Sequence, residues 1–584
     1  MKRFNFKPLA SIALAAILLA SCSGLKKMKK NADKIDFQVT PEILEAHAGN
    51  VDAAIDGRFP AKYFKKKVTL VATPVLKYAD GETSYEPVTV QGEKVDDNNK
   101  VISYINGGNF SYKSSVNYND DMRQSDLEIH IKASKGIKSV EFDPIKIADG
   151  VIATSTLVIN NPTPIIGVSR EKNTTGVYNP DIDPFQRIVP DNYTADIHYL
   201  INSAVVRNTE LKKEDIQKLK EYAKQAFDDQ RKELKNIDIS AYASPDGALD
   251  FNTELSENRQ NTSSKYLTRQ LKKEKIEAEL NTKFTPEDWE GFKELMEKSN
   301  IQDKELILRV LSMYSDPEVR EREIRNISDA FTVLAEQILP QLRRAKITAN
   351  VDLIGKTDEE IAAMAGSDAK ALNPAELLYA ATLTTDKNKE LAIYNSMTKA
   401  YPRDWRGYNN AGMVLAQQGK YAEAKPLFEK AESLKNDEPI IKNNLGTVAL
   451  AEGDLDKAEQ LFGAASGAGP EVNYNLGIVA IKKGQYDKAV KLLGDSDSPN
   501  AGLAEILAGD NNGALKSLDN CTWKNCYMKE YLKAIVGART AKENLMYESL
   551  ENAVKINPDL KSKIATDLEF AKYFSDARFK EIVK

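Results

Sequence analysis

Residue types that could carry out chemistry are few in this chain of 584 residues. The three histidines, His47, His130 and His198, lie far apart, and none belongs to a cluster with the spacing of metal ligands. The sequence also contains no nucleophile beside a general base and no glycine-rich phosphate loop. We therefore expect no catalytic residue, no cofactor and no metal ion, and the sequence argues against an enzyme.

Length and charge narrow the class of protein further. At roughly 100–200 residues per domain, three or four domains are expected. The formal net charge is −5, which argues against a nucleic-acid partner because such proteins present a basic face.

Cys22 is the first residue with a predicted chemical role. A basic start precedes an apolar segment, residues 9–20, which is too short to cross a bilayer core of about 30 Å. The sequence Leu19-Ala20-Ser21-Cys22 resembles the lipobox of bacterial lipoproteins. That resemblance implies that residues 1–21 are a removed signal peptide and that Cys22 is diacylated. The alternative is an ordinary secretory signal with a chance cysteine.

Residues 22–60 are predicted to be a lipid-anchored tether. The first residues after Cys22, SGLKKMKKNADK, are basic, and they either lie on anionic head groups or are solvated. No acidic export signal follows Cys22, which favours the periplasmic face of the outer membrane over the cell surface. No other run of 18 apolar residues occurs, so nothing else is predicted to span a membrane.

Residues 61–165 are predicted to form a β-sandwich-like domain that spaces or docks. Val68 to Leu76 and Leu127 to Ser134 alternate or run apolar, and turn-forming clusters separate such segments. Residues 166–192, rich in proline, asparagine and glycine, are predicted to be a linker.

Residues 193–360 are predicted to be an α/β domain. A strand over 195–202, a helix over 212–234 and a strand over 236–243 precede a second helix. That helix carries the pattern N-x-x-L-S-x-x-R on Asn252, Leu255, Ser256 and Arg259. The arrangement resembles the C-terminal domain of the outer-membrane-protein-A family, which also occurs in peptidoglycan-associated lipoproteins.

The resemblance implies a site for peptidoglycan. In the family, a turn aspartate and the helix arginine hold the charged ends of diaminopimelate, and Arg259 stands at the arginine position. Ser244 occupies the aspartate position, with Asp246 two residues later as a substitute and Asn252 nearby. The alternative is that Arg259 and Asp246 only brace the turn.

Residues 272–344 depart from the family pattern. They are charged and predicted to be helical, before a returning strand over 346–355. This insertion either forms a subdomain with its own partner or covers a face of the sheet.

Residues 371–584 are predicted to be an all-α solenoid. One unit has its characteristic small and aromatic residues at Tyr408, Gly412, Gly419, Tyr421, Ala424, Phe428 and Ala431. The pattern returns at Gly446 and again at Gly477, and it resembles the tetratricopeptide repeat. Small residues let the two helices of a unit approach closely, and neighbouring units share one core.

The repeats also contain asparagines at matching places on the first helices of successive units. These are Asn409, Asn410, Asn443, Asn444 and Asn475. Such stacks form a concave groove, so the amides are predicted to bind the backbone of an extended partner peptide. The alternative is that they are solvated or cap turns.

Cys521 and Cys526 lie five positions apart in a polar segment. An exported compartment permits a disulfide between them, and two free thiols are the alternative.

Together these features predict a multidomain protein with a β-sandwich-like domain, an OmpA-like α/β domain and a tetratricopeptide-repeat solenoid. We expect an outer-membrane-anchored envelope scaffold that recruits an unidentified protein through the repeats and contacts peptidoglycan. The alternative is a non-enzymatic accessory of an outer-membrane assembly or secretion complex with no wall binding.

Overall fold

The computed structural model describes residues 24–165, 167, 185–301, 303–494 and 496–584. The chain divides into two compact units, one formed by Met1–Ile182 together with Thr384–Lys584 and the other by Asp183–Leu383. The predicted signal peptide, Cys22 and most of the predicted linker lie outside the described residues.

The first unit begins with a helix, α1 (residues 24–30), and an eleven-stranded sheet. The strands are β1 (Asp36–Thr40), β2 (Ile43–His47), β3 (Asn50–Phe59), β4 (Thr69–Tyr78), β5 (Gly81–Ser84), β6 (Val88–Gly92), β7 (Lys100–Ile102), β8 (Gly108–Asn117), β9 (Ser125–Lys135), β10 (Lys138–Glu141) and β11 (Ile145–Ile152). The main strand order is β1-β3-β2-β11-β9-β4-β6-β7. The predicted sheet-rich domain is confirmed. Because β2 pairs with both β3 and β11, the strands join in one sheet instead of the two sheets of a sandwich.

The predicted tether over residues 22–60 is wrong for the part that the structure describes. Leu25 and Met28 of α1 are each only 1 % exposed and belong to the core of the sheet. Strands β1 to β3 follow at once, so the domain begins well before residue 61. The lysines of α1 concealed this in the sequence, because only two apolar residues are needed to bury one face of so short a helix.

The second unit is an α/β domain. Its strands and first helices are β12 (Ile188–His198), α2 (Asn208–Leu211), α3 (Glu214–Asp228), β13 (Lys232–Tyr242), α4 (Leu249–Glu274) and β14 (Glu279–Thr285). The remaining elements are α5 (Trp289–Lys298), α6 (Lys304–Met313), α7 (Pro317–Arg325), α8 (Ser328–Gln337), α9 (Leu339–Leu342), β15 (Arg344–Ile354), α10 (Asp358–Ser367) and α11 (Pro374–Thr382). The sheet order is β12-β15-β13-β14, and only β13 and β14 are parallel.

Two predicted boundaries in this unit are wrong. The helix predicted to reach residue 234 ends at Asp228, because β13 begins at Lys232. The insertion predicted to be helical from residue 272 contains a strand, β14, before its helices begin at Trp289. Strand β14 lies at the edge of the sheet with mostly exposed side chains, so it lacks the alternation that marks a half-buried strand.

The C-terminal part of the first unit is a stack of helical hairpins. After α12 (Lys387–Ala400) come the pairs α13 (Trp405–Gln417) with α14 (Tyr421–Leu434), α15 (Pro439–Ala451) with α16 (Leu455–Ala464), α17 (Glu471–Lys482) with α18 (Tyr486–Leu493), α19 (Pro499–Leu507) with α20 (Asn511–Asn520) and α21 (Tyr527–Arg539) with α22 (Glu543–Ile556). Two short helices, α23 (Leu560–Ile564) and α24 (Ala577–Val583), complete the chain. This unit resumes at Thr384, so α11, predicted to open the solenoid, belongs to the other unit.

Close contact inside each hairpin depends on glycine. A Cβ atom on Gly412 would lie 2.7 Å from the ring of Phe428, and one on Gly446 would lie 2.6 Å from the ring of Phe462. Gly477 has the same relation to Leu493 at 2.4 Å. In successive hairpins the two helices therefore touch at the glycines that recur in the sequence pattern.

Candidate functional site

A row of buried asparagines lines the inner face of the hairpin stack. Asn410, Asn444, Asn475 and Asn500 lie on α13, α15, α17 and α19, the first helices of four successive hairpins. None is more than 1 % exposed. Their amides bind the backbone N–H groups of Ile159, Thr163, Ile165 and Gly167 of the same chain, which lie along the groove.

Both atoms of each amide take part in the central contacts. The Oδ1 atom of Asn444 accepts the N–H of Ile165 at 2.7 Å, and its Nδ2 atom donates to the Ile165 carbonyl at 2.7 Å. Asn475 binds Thr163 in the same way, at 2.7 and 2.9 Å. One asparagine thus holds the donor and the acceptor of one residue, which is the pattern that an extended strand offers.

The outer contacts extend the same pattern along the segment. Asn500 accepts the N–H of Ile159 at 2.8 Å and donates to its carbonyl at 3.0 Å. At the other end, Asn410 accepts the N–H of Gly167 at 2.7 Å. We call these four side chains, together with Asn409 and Asn443, the asparagine ladder.

Asn409 and Asn443 tie the ladder together. Their Nδ2 atoms donate to the carbonyls of Ile165 and Thr163, at 3.3 and 3.1 Å. Their Oδ1 atoms accept hydrogen bonds from the amides of the next repeat, at 2.8 Å for Asn409 and 2.9 Å for Asn443. Buried amides need such partners, because an unpaired one costs free energy.

Side chains of the bound segment explain its register. Pro162 and Pro164 are buried and have no N–H, and they alternate with the residues whose N–H groups the ladder accepts. Ile165, 8 % exposed, packs in an apolar cluster of the repeats. A Cβ atom on Gly167 would lie 3.0 Å from the Trp405 ring, so the backbone approaches the groove closely there.

The groove residues predicted from the sequence, Asn409, Asn410, Asn443, Asn444 and Asn475, are thus brought together against an extended peptide. That peptide is the chain's own segment and not a foreign one. Sequence reasoning missed Asn500, because it follows Asn475 by 25 positions, short of the usual repeat. The alternating prolines Pro162 and Pro164 were the available signal for the segment, but the predicted bounds placed them at the end of the β-sandwich-like domain.

The predicted peptidoglycan arginine occupies a different environment. Arg259 is 0 % exposed, and its guanidinium donates to the backbone carbonyls of Ser203 at 3.0 Å, Tyr242 at 2.8 Å and Leu200 at 3.2 Å. Burial lowers the pKa of Arg259 to about 10. These bonds hold the loop that follows β12 against the end of β13.

The turn residues pair without Arg259. Asp246 forms an ion pair with Arg343 at 3.3 Å and also accepts the hydroxyl of Ser244. Asn252 donates to the carbonyl of Gly247 at 3.0 Å and to that of Ser244 at 3.3 Å. The structure therefore brings Ser244, Asp246 and Asn252 together in the turn, whereas the hydrogen bonds of the Arg259 guanidinium go to backbone carbonyls.

The predicted disulfide is also not formed. Cys521 and Cys526 are free thiols, the first buried at the end of α20 and the second half-buried at the start of α21. Burial raises the pKa of the Cys521 thiol. Cys521 thus faces the apolar interior of the helix stack, where it serves as a small core residue.

Among the described residues, no group of histidine, cysteine and carboxylate side chains could hold a metal ion. Nor does any helix in the described part of the chain have the length and apolarity to cross a bilayer.

Comparisons with known proteins bear on the helical region. The family model for the tetratricopeptide repeat matches residues 415–471 and 449–508. A search of curated proteins gives no significant match. Solved structures with similarity include YrrB, a tetratricopeptide-repeat protein with an unusual peptide-binding site, at 20 % identity over 31 % of this chain and 97 % of that one, with a TM-score of 0.25.

Two pilus proteins show comparable similarity. PilW, a type IV pilus biogenesis factor, is 15 % identical over 38 % of this chain and 99 % of its own, with a TM-score of 0.28. PilF of Pseudomonas aeruginosa is 15 % identical over 37 % and 98 %, with a TM-score of 0.27. These TM-scores are too low to carry an argument. The family match and the glycine-packed hairpins together show that the C-terminal helical region of this chain contains tetratricopeptide repeats.

Proposed function

We propose that the protein is a non-enzymatic scaffold of the bacterial envelope, anchored in the outer membrane through an acylated Cys22 and binding a protein partner through its repeat groove. The observation that carries the proposal is the asparagine ladder, which holds both backbone groups of an extended segment. Every extended peptide carries the same backbone groups, so the ladder provides affinity without distinguishing sequences. Selectivity then comes from the pockets that accept side chains.

The chain's own segment occupies the groove when no partner is present. Because this segment is covalently tethered, its effective concentration at the groove is of the order of mM. A partner segment must therefore present the same features to replace it: prolines in alternate positions, a branched aliphatic residue at the place of Ile165 and a glycine at the place of Gly167. The groove thus selects for partners that match this pattern.

Wall binding is the weaker of the two functions that the sequence suggests for the α/β unit. Backbone carbonyls accept three of the five N–H donors of the buried Arg259 guanidinium, and Asp246 already has Arg343 as its partner. We therefore favour an accessory of an outer-membrane assembly or secretion complex without wall contact through Arg259.

A labelled peptide with the sequence of residues 158–167 tests the groove. The probe is added to the full chain with Cys22→Ser, with and without the further change Thr163→Pro, which removes an N–H that the ladder accepts. We expect binding when the internal segment is disrupted, and loss of binding when Asn444→Ala is added. Asn160→Ala, at an exposed position, serves as control and should leave the groove closed. A folded Thr163→Pro protein that fails to bind the probe contradicts the proposal.

Two further measurements test the location. Labelled fatty acid should enter the wild-type chain and not the Cys22→Ser chain. When the full chain is mixed with isolated wall sacculi and centrifuged, it should remain in the supernatant. If it sediments with the sacculi instead, and Arg259→Ala abolishes this sedimentation, the wall-binding hypothesis is restored.

A further inference from the structure

Two lysine-rich segments meet at the start of the folded chain. One is α1, and the other is the connection between β3 and β4, residues 60–68. They are joined by a buried hydrogen bond in which the Tyr63 hydroxyl donates to the Met28 carbonyl at 2.9 Å. Because Leu25 and Met28 face the core, the lysines of α1 lie on its outer side.

This hydrogen bond brings the two segments into contact, and we call their lysines together the basic surface. Its members are Lys26, Lys27, Lys29, Lys30, Lys62, Lys65, Lys66 and Lys67. Lys29 is paired with Asp143 at 2.9 Å, and Lys66 with Glu93 at 3.4 Å.

Several members of the basic surface have no acidic partner. Lys26, Lys27, Lys30, Lys62 and Lys67 are exposed and form no ion pair with any residue that the structure describes. The chain as a whole has a net charge of −5, so this positive charge is local. A concentration of unpaired lysines against the overall charge points to an anionic counterpart.

The position of the surface in the chain identifies that counterpart. The described part of helix α1 starts at residue 24, two residues after Cys22. Two residues span at most about 7 Å, which is less than the screening length of roughly 8 Å at physiological ionic strength. Because folded structure stands where a long tether was predicted, a lipid on Cys22 would hold the lysines of α1 within electrostatic reach of the head groups.

We infer that the basic surface binds the anionic phospholipid head groups of the membrane, as a second contact beside the acyl chains on Cys22. The inference extends the proposed anchoring, but it does not depend on the lipid, since the lysines attract an anionic bilayer without it. Lysine ammonium groups act as point charges, so the contact responds to the charge density of the surface and to salt.

Vesicle flotation with the soluble Cys22→Ser chain tests the inference. Vesicles of phosphatidylcholine with phosphatidylglycerol are compared with vesicles of phosphatidylcholine alone. We expect binding only to the anionic vesicles, and less of it at high salt. Each lysine near an anionic surface contributes about fivefold in affinity, so the combined change Lys26→Gln, Lys27→Gln and Lys30→Gln should weaken binding by about two orders of magnitude.

A matched control removes the same charge elsewhere. Lys457, Lys491 and Lys516 are exposed on second helices of the repeats, and their change to glutamine should leave vesicle binding unaltered. Equal binding by the two triple variants would overturn the inference, as would binding to soluble polyanions such as heparin with none to vesicles. Fatty-acid labelling of Cys22 is scored separately, so failure of the anchor and failure of the basic surface give different results.

Discussion

The asparagine ladder predicts a large, local effect for Asn444→Ala. This change leaves the N–H of Ile165 and the Oδ1 atom of Asn409 without their hydrogen-bond partners in a fully buried site. Each unpaired buried group costs about 1–3 kcal/mol, so the bound segment should be destabilised by about 3 kcal/mol. Because 1.4 kcal/mol corresponds to a factor of ten, opening of the segment should become about two orders of magnitude more frequent.

Amide hydrogen exchange measures that opening directly. A melting curve would mix the responses of several modules, whereas exchange reports each segment by itself. In Asn444→Ala, the peptide that contains Thr163 and Ile165 should exchange about 100-fold faster, while peptides of β9 keep the wild-type rate. Asn473→Ala is the matched control. Asn473 is exposed on α17, one of the helices that carry the ladder, so its replacement should cost less than about 0.5 kcal/mol of stability. Unchanged exchange in Asn444→Ala would refute the view that the ladder holds the segment.

Other predictions concern packing, thiols and pH. Gly446→Ala places a methyl group against an aromatic ring and should destabilise the repeats by about 1–3 kcal/mol in thermal unfolding, whereas Gly463→Ala, with open space around it, should be neutral or stabilising. A maleimide should label Cys526 in the native protein and reach Cys521 only after unfolding, and mass spectrometry that finds neither thiol free would contradict the structure. A histidine hydrogen bond lowers the pKa of the Glu45 carboxyl, so its stabilising effect is present above the ordinary pKa of 4.5 and is lost as the pH falls through the lowered value. Glu45→Gln should therefore reduce the loss of stability measured on acidification below that pH.

The repeats could be predicted from sequence because their packing depends on local spacing. Gly446 and Phe462 lie in one hairpin and their contact recurs at a near-constant period, so the sequence records it. The segment that occupies the groove has no such repeating pattern in the sequence. Ile165 and Asn444 are 279 positions apart, and nothing in the composition of the proline-rich segment distinguishes a buried extended segment from a solvated linker.

Errors elsewhere arose where a segment has few apolar residues. Helix α1 buries only Leu25 and Met28, and its remaining side chains are mostly lysine, which is typical of a tether. Strand β14 lies at a sheet edge, where it pairs with a neighbouring strand on one side and most of its side chains are exposed. In both segments the contacts with the rest of the fold, and not the intrinsic pattern, determine the structure.

Arg259 shows why a matching motif does not by itself establish a binding site. The helix places the arginine at the position that the resemblance predicts, beside the turn of Ser244 and Asp246. Its function depends on whether the N–H donors of the guanidinium remain available, and here the backbone carbonyls of Leu200, Ser203 and Tyr242 accept them. Releasing the guanidinium to a ligand would leave these carbonyls to find other donors, at about 1–3 kcal/mol for each one that stays unpaired. A wall peptide would have to recover that free energy before it gained any affinity, whereas a protein that docks on the outer side of these loops would not.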